Sequence, residues 1–249
     1  MGWISKHVGG WLAAYLTKPV ADYVEFSVQS PATLRRHLRP GDVLLVEGNE
    51  RVSVAVKYLT QSTWSHAALY IGETLGVDQP DLVEADLERG VVAVRLDKYR
   101  DQNTRICRPV GLSPADQAQL MDFAVAHIGD TYDLRNVFDL ARYLLPTPPV
   151  PRRWRRRLLS LGSGDPTQAI CSTLIAQAFQ SVGYPVLPLP ALPDGDAPVE
   201  EANEKKRRTA WAVRHHSLFT PRDFDLSPYF ATIKPTVESG FDYKSFNWS

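Results

Sequence analysis

Three residues carry the chemistry this sequence could perform: Cys171, His66 and Glu84. Cys171 opens the run Cys171-Ser172-Thr173-Leu174-Ile175-Ala176-Gln177-Ala178-Phe179, where Leu174, Ile175, Ala178 and Phe179 recur at helical spacing. The pattern predicts a buried helix over 171–182, ending at Gly183, with Cys171 in its first turn. A thiol there faces unpaired backbone N–H groups and the positive end of the helix dipole, and both favour the thiolate. His66 lies in Trp64-Ser65-His66-Ala67-Ala68-Leu69-Tyr70-Ile71-Gly72, which reads as a strand. An imidazole titrates near neutrality and is the usual group to hold a thiol's proton. Glu84 lies in the next predicted strand, Leu82-Val83-Glu84-Ala85-Asp86. If the two strands are antiparallel neighbours, Glu84 sits beside His66 on one face and can orient its ring. An acid flanked by Leu, Val and Ala also needs a buried partner. Asp86 and Asp133 are the substitutes for that role.

Taken singly, each residue has a plainer reading, Cys171 as a small core residue and His66 as a packed strand residue. Cys107, in Arg105-Ile106-Cys107-Arg108, reads as structural, since no helix dipole activates it. His127 falls on the outer part of a helix. The adjacent pair His215-His216 does not converge on one metal. Two cysteines are too few for a cysteine-built zinc site or a disulfide framework. No metal or other cofactor is expected.

Several elements must position the candidates. A short helix over 31–38 is capped by Ser30 with Pro31 at its start. A turn at Pro40-Gly41-Asp42 leads into an apolar strand at 43–46. Residues 51–60 fit a strand by alternation and a helix by Val52, Val56 and Leu59. Strands are predicted at 65–71, 82–86 and 90–96, with a fourth at 105–110. Ser113-Pro114 starts a helix to about 128, and another is expected over 133–144. The chain of 249 residues thus divides into an N-terminal amphipathic segment (1–30), a catalytic domain (31–190) and a C-terminal extension packed on the core (191–249). A basic, proline-rich insertion occupies about 146–170.

The ordered set Pro40-Gly41-Asp42-Val43-Leu44, Ser65 to Gly72, Val83-Glu84-Ala85, Gly129-Asp130-Thr131-Tyr132-Asp133 and Cys171-Ser172 resembles one family group. It is the permuted papain-like branch of the NlpC-type peptidase superfamily, closest in pattern to its YiiX/YaeF-like members, with lecithin:retinol acyltransferases as distant kin. In unpermuted relatives the Cys helix precedes the His strand; here His66 precedes Cys171. The resemblance covers about residues 38–190 and extends weakly to Thr220-Pro221-Arg222-Asp223-Phe224. It implies an α+β, circularly permuted papain-like fold: a small antiparallel sheet packed against the nucleophile helix. It implies Cys171 as nucleophile, His66 as base and Glu84 as orienting acid. Tyr132 matches the family's Tyr near the active site, and Ser65 and Ser172 flank the reacting pair as further substrate-binding candidates. Ile170 and Thr173 stand where relatives often have an aromatic and an acidic residue, so the relatives' substrates do not carry over. The implied reaction is acyl transfer from a peptide, small-molecule or lipid amide or ester. A membrane-surface acyltransferase or thioesterase, and a non-catalytic binding module, are the alternatives.

Two further stretches bear on partners. Trp3, Ile4, Val8, Trp11, Leu12, Tyr15 and Leu16 form an amphipathic stripe, interrupted by Gly9-Gly10. It is too short and polar to span a bilayer and lacks a secretory cleavage pattern. No cysteine near the start favours a lipid-anchored N-terminus. The stripe reads either as a helix packed on the body or as an interfacial helix. Five arginines surround Trp154 in Arg152-Arg153-Trp154-Arg155-Arg156-Arg157. Such a run is usually a solvated face; an anionic membrane surface is its most fitting partner. Lys+Arg and Asp+Glu balance at 28 each, and no reader motif is present, so nucleic acid is not expected. The expected location is cytoplasmic, with peripheral attachment at the inner membrane as the sharper reading. The oligomeric state is left open.

Overall fold

The computed structural model describes residues 18–19, 27, 29–131, 170–187, 189–190, 211–212 and 215–235. Tyr132, the helix expected over 133–144, the arginine run and the N-terminal stripe lie outside these residues.

The described chain opens with α1 (Pro31–His37), where the Ser30 hydroxyl accepts from the Thr33 N–H at 3.2 Å. β1 (Val43–Val46) follows, then α2 (Arg51–Thr60). The ambiguous stretch is therefore helical. Val56 is buried while Val54 and Tyr58 are exposed, a pattern that strict alternation could not give. Next come β2 (His66–Tyr70), β3 (Leu82–Asp86) and β4 (Gly90–Val94). The strand expected to reach residue 96 stops at Val94. Leu96 turns inward, its N–H bonded to Asp81 Oδ1 at 2.7 Å, and opens a 3-10 turn over Leu96–Tyr99. β5 (Thr104–Pro109) and α3 (Pro114–Ala126) complete this half, with the Ser113 hydroxyl capping α3 at the Asp116 N–H.

Beyond the undescribed stretch, α4 (Ile170–Ser181) carries Cys171 in its first turn. It closes as its sequence predicts: Gly183 adopts φ +68°, and the Tyr184 N–H returns to the Phe179 carbonyl at 2.9 Å. A two-stranded piece pairs β6 (Leu189–Pro190) with β7 (Trp211–Ala212). Then α5 (Pro221–Leu226), closed by a Thr220 N–H to Asp223 Oδ2 bond, leads to β8 (Phe230–Ile233). β8 is a sixth strand that local pattern did not reveal.

The sheet order is β4-β3-β2-β1-β5-β8, and every pairing is antiparallel. Alternation divides its side chains between two layers. Val43, Leu45, Ala67, Leu69, Val83 and Cys107 pack against Leu174, Ile175, Ala178 and Phe179 of α4. Burying a side chain such as Leu174, Ile175 or Phe179 contributes about 1.5–3 kcal/mol each, so this face fixes the helix on the sheet. Leu44, Val46, Ala68, Tyr70, Leu82 and Ile106 face the other way, under Leu34, Leu38, Leu96 and Tyr99. The fold is thus α+β with the helix of Cys171 laid on an antiparallel sheet, as the resemblance implied. Asp42, from the Pro-Gly-Asp turn, accepts two bonds from Arg108 of β5 at 2.9 and 2.7 Å. That turn lies at the opposite end of β2 from His66, and its role is to fasten β1 to β5.

Candidate active site

The β2–β3 ladder pairs Tyr70 with Leu82, Leu69 with Val83 and Ala68 with Glu84, and there it ends. β3 itself continues, paired with β4 as far as Asp86 opposite Gly90. The two strands therefore part beside His66 and Ala67. The Tyr70 N–H bonds to the Asp42 carbonyl on the β1 side. Alternation then sends the N–H groups of Leu69 and Ala67 toward the β3 side. With no β3 partner opposite it, the Ala67 N–H is available, and it donates to the Cys171 sulfur.

His66 and Glu84 share one face of this opening. His66 Nε2 lies 3.1 Å from Glu84 Oε2. The same ring also hydrogen-bonds with the Cys171 thiol. The Glu84 side chain is fully buried, and the His66 side chain is 23% exposed. Glu84 has two further partners: the Tyr99 hydroxyl donates to Oε2, and Lys98 Nζ donates to Oε1. Both carboxylate oxygens are thus occupied by donors, which is the condition for burying an ionised acid.

Charge follows this geometry. Burial alone would pull the His66 ring down. The Cys171 thiolate and the Glu84 carboxylate outweigh it and hold the ring's pKa up, at about 10. Burial would likewise push the Cys171 thiol up. The imidazolium, the Ser172 hydroxyl and the Ala67 N–H outweigh it, and the thiol is held below its ordinary value. For Glu84 burial is again opposed, here by His66 and Lys98, which bring the carboxyl down to about 2. All three shifts favour the same charged arrangement, a thiolate beside an imidazolium with a carboxylate behind it. Cys107 has no such neighbour: burial pushes its thiol up to about 12.

The structure brings Cys171, His66 and Glu84 together. Ser172 is buried, with its hydroxyl 3.8 Å from the Cys171 sulfur. Ser65 is buried too, and its hydroxyl accepts from the Gly48 N–H at 2.9 Å, holding the turn after β1 against the start of β2. Just upstream, Trp64 Nε1 donates to Asp225 Oδ2 at 3.1 Å, and the Arg105 guanidinium lies 4.9 Å from the Trp64 ring centre. Tyr132 falls outside the described residues. The segment leading to it is placed, however: the Asp130 carbonyl accepts from the Val91 N–H at 2.8 Å, on the free edge of β4. Asp86 is not the orienting acid, since its carboxylate caps its own turn through the N–H groups of Glu88 and Arg89. Three residues near the site were missed from sequence: Lys98, Tyr99 and Glu50. Glu50 precedes α2, and its carboxyl is raised by burial against the opposing charges of His66 and Lys98. Among the described residues no group of three His, Cys, Asp or Glu side chains could hold a metal ion, and no helix is long and apolar enough to cross a membrane.

A Cys–His–Glu cluster on an antiparallel sheet, with the Cys helix following the His strand in the chain, defines a permuted papain-like fold. Comparison with known proteins agrees: residues 37–143 match the family described as permuted papain-like amidase enzymes, YaeF/YiiX, C92 family. Over these residues the chain is similar to that family, described as one of amidases. The match includes His66 and Glu84 and ends before Cys171. A curated relative, the probable lipoprotein peptidase YaeF of Escherichia coli (strain K12), is 24% identical over 165 residues. That alignment covers 60% of this chain and 58% of the relative, so the chain spans less than two thirds of its length. A solved structure, the metalloprotein YiiX of Escherichia coli O157:H7, is 19% identical, with a TM-score of 0.48 over 79% of this chain and 96% of that one.

Proposed function

We propose that this chain is a cysteine-dependent acyl hydrolase, an amidase or peptidase working through a thioester on Cys171. The observation that carries the reading is the shared His66 ring, bonded to the Glu84 carboxylate at 3.1 Å and to the Cys171 thiol. A cysteine kept only for packing has no use for an imidazolium beside it, since an apolar setting favours the neutral thiol.

In this mechanism the Cys171 thiolate attacks the substrate carbonyl carbon and a C–S bond forms. The carbonyl oxygen takes the negative charge and is held by first-turn N–H groups of α4, including that of Cys171, which have no helical partner. As the intermediate collapses the C–N bond breaks, and His66 gives its proton to the departing amine. A water then attacks the thioester carbonyl, His66 takes its proton, and the C–S bond breaks to return the thiolate and a carboxylic acid. Glu84 keeps the ring oriented and stabilises its charged form throughout. The amphipathic stripe at 3–16 and the arginine run at 152–157 favour lipid-linked or cell-envelope amides as substrates. The same stretches support the second reading, in which a lipid ester or thioester is the acyl donor and an alcohol or amine replaces water.

The test is intact-mass detection of an acyl adduct after incubation with lipid and peptide extracts. The adduct should map to the Cys171 peptide and be released by hydroxylamine, and Cys171→Ser should be folded and inactive. Near-wild-type turnover by Cys171→Ser on any substrate found would overturn the mechanism.

A further inference from the structure

Glu84 is a buried charge held by three donors from two elements. His66 and Tyr99 share Oε2, while Lys98 takes Oε1. Tyr99 is itself buried, at 3% exposure, and the Lys98 ammonium lies 5.2 Å from its ring centre. Both donors come from the 3-10 turn that follows β4, a turn closed by Lys98 N–H to Arg95 carbonyl at 3.0 Å and tied to Asp81 through Leu96. Neither residue touches Cys171 by hydrogen bond, and a mere packing role would not require two donors aimed at one carboxylate.

We infer that Tyr99 and Lys98 are positioning residues for the Cys171–His66 pair, acting through Glu84. Tyr99 fixes the oxygen that meets the imidazole. Lys98 supplies the opposite charge that lets the carboxylate stay ionised where no water reaches it. Each removal weakens the ionised form of Glu84, so Glu84 takes up a proton at a higher pH. A carboxylate held less firmly stabilises the imidazolium less, so the Cys171 thiol keeps its proton to a higher pH. The other charged groups around this cluster are Glu50 before α2, Asp86 at the end of β3 and Arg89 in the turn after it. They are unchanged in the variants below.

This inference rests on the reading of Cys171 as an activated thiol, and the experiment separates the two. Alkylation of Cys171 by iodoacetamide is followed by mass spectrometry from pH 4 to 10, with Cys107 as internal reference. In the wild type Cys171 should react far faster than Cys107 across neutral pH. Tyr99→Phe keeps the buried ring and removes one donor. Lys98→Met removes the charge and keeps the stem. Each should move the acid limb of the Cys171 profile upward by about half to one pH unit and slow the reaction near that limb roughly three- to tenfold, the size of one hydrogen bond's net contribution. Lys98→Arg, which keeps the charge, should restore most of the wild-type limb. A thermal shift with an unchanged pH profile means a structural role only and overturns the inference while leaving the thiol reading intact. A wild-type Cys171 no faster than Cys107 overturns both.

Discussion

Replacing Glu84 with Gln removes one charge from a fully buried side chain and changes little else in its shape. The carboxyl falls from its ordinary 4.5 to about 2 in the folded protein. At about 1.36 kcal/mol per unit, the surroundings favour the ionised form by about 3 kcal/mol, with no solvent screening to discount. That figure is shared among His66, Lys98 and Tyr99, so the part that reaches the ring is a fraction of it. A rate loss centred near a hundredfold, within roughly ten- to a thousandfold, is expected for hydrolysis. Stability carries a second signature. The depressed carboxyl stabilises the fold above about pH 4.5, and this is lost as pH falls toward 2. The raised imidazole stabilises the fold fully below pH 6.5, and this is lost as pH rises through about 10. The pair therefore acts in full between these limits. Urea unfolding of wild type and Glu84→Gln across pH should show the widest gap from about 4.5 to 6.5, closing on both sides. A gap that does not vary with pH, or a Gln variant of undiminished activity, would refute the reasoning.

The remaining expectations concern neighbouring elements. His66→Ala should slow Cys171 alkylation at neutral pH by removing the charge that holds the thiol down, and leave Cys107 unchanged; equal rates for wild type and variant count against the ion pair. Gly90 sits at φ +75°, and a Cβ there would press on the Asp130 carbonyl. Gly90→Ala should cost about 1–3 kcal/mol in thermal or urea denaturation, by forcing a left-handed backbone and displacing Asp130 and Thr131. An anionic vesicle should retain the protein better than a neutral one and release it in salt, since each Arg near the surface contributes about 1 kcal/mol. Deleting residues 1–18, or changing Arg152, Arg153, Arg155, Arg156 and Arg157 to Gln, should each weaken that retention; equal recovery in the supernatant with both lipids removes the membrane reading.

The parts of the site legible in the sequence were those with strong local signals. Cys171 heads a helix whose apolar spacing and Gly183 stop are both written in the chain. Glu84 stood out as an acid among apolar strand residues, and its pairing with His66 needed only adjacent antiparallel strands. Lys98 and Tyr99 were not legible, because the apparent strand pattern continues to Leu96. What ends it is the bond that the Leu96 N–H donates to Asp81, fifteen residues away. β8 was hidden for a similar reason. Phe230–Ile233 is a short run, and its strand state comes from register with β5, Ile233 opposite Ile106, which no local pattern encodes. The helical state of 51–60 was ambiguous because β-branched Val52, Val54 and Val56 suit either state until burial selects one.

The permuted order is compatible with this chemistry because only the contacts of Cys171 join distant parts of the chain. His66 and Glu84 belong to neighbouring strands of one antiparallel pair, so any chain order that keeps that pair keeps their hydrogen bond. Cys171 arrives on a helix fixed by Leu174, Ile175, Ala178 and Phe179 against the sheet, and that packing does not depend on where the helix joins the chain. What the arrangement does require is the early end of the β2–β3 ladder at Ala68 opposite Glu84. If pairing ran one residue further, Ala85 would take the Ala67 N–H as a ladder bond. The sulfur would then lose a donor and the thiolate one of the groups that stabilise it. The place where two strands part, rather than the order in which the elements are made, is therefore what adds the Ala67 N–H to the imidazolium and the Ser172 hydroxyl that lower the Cys171 thiol.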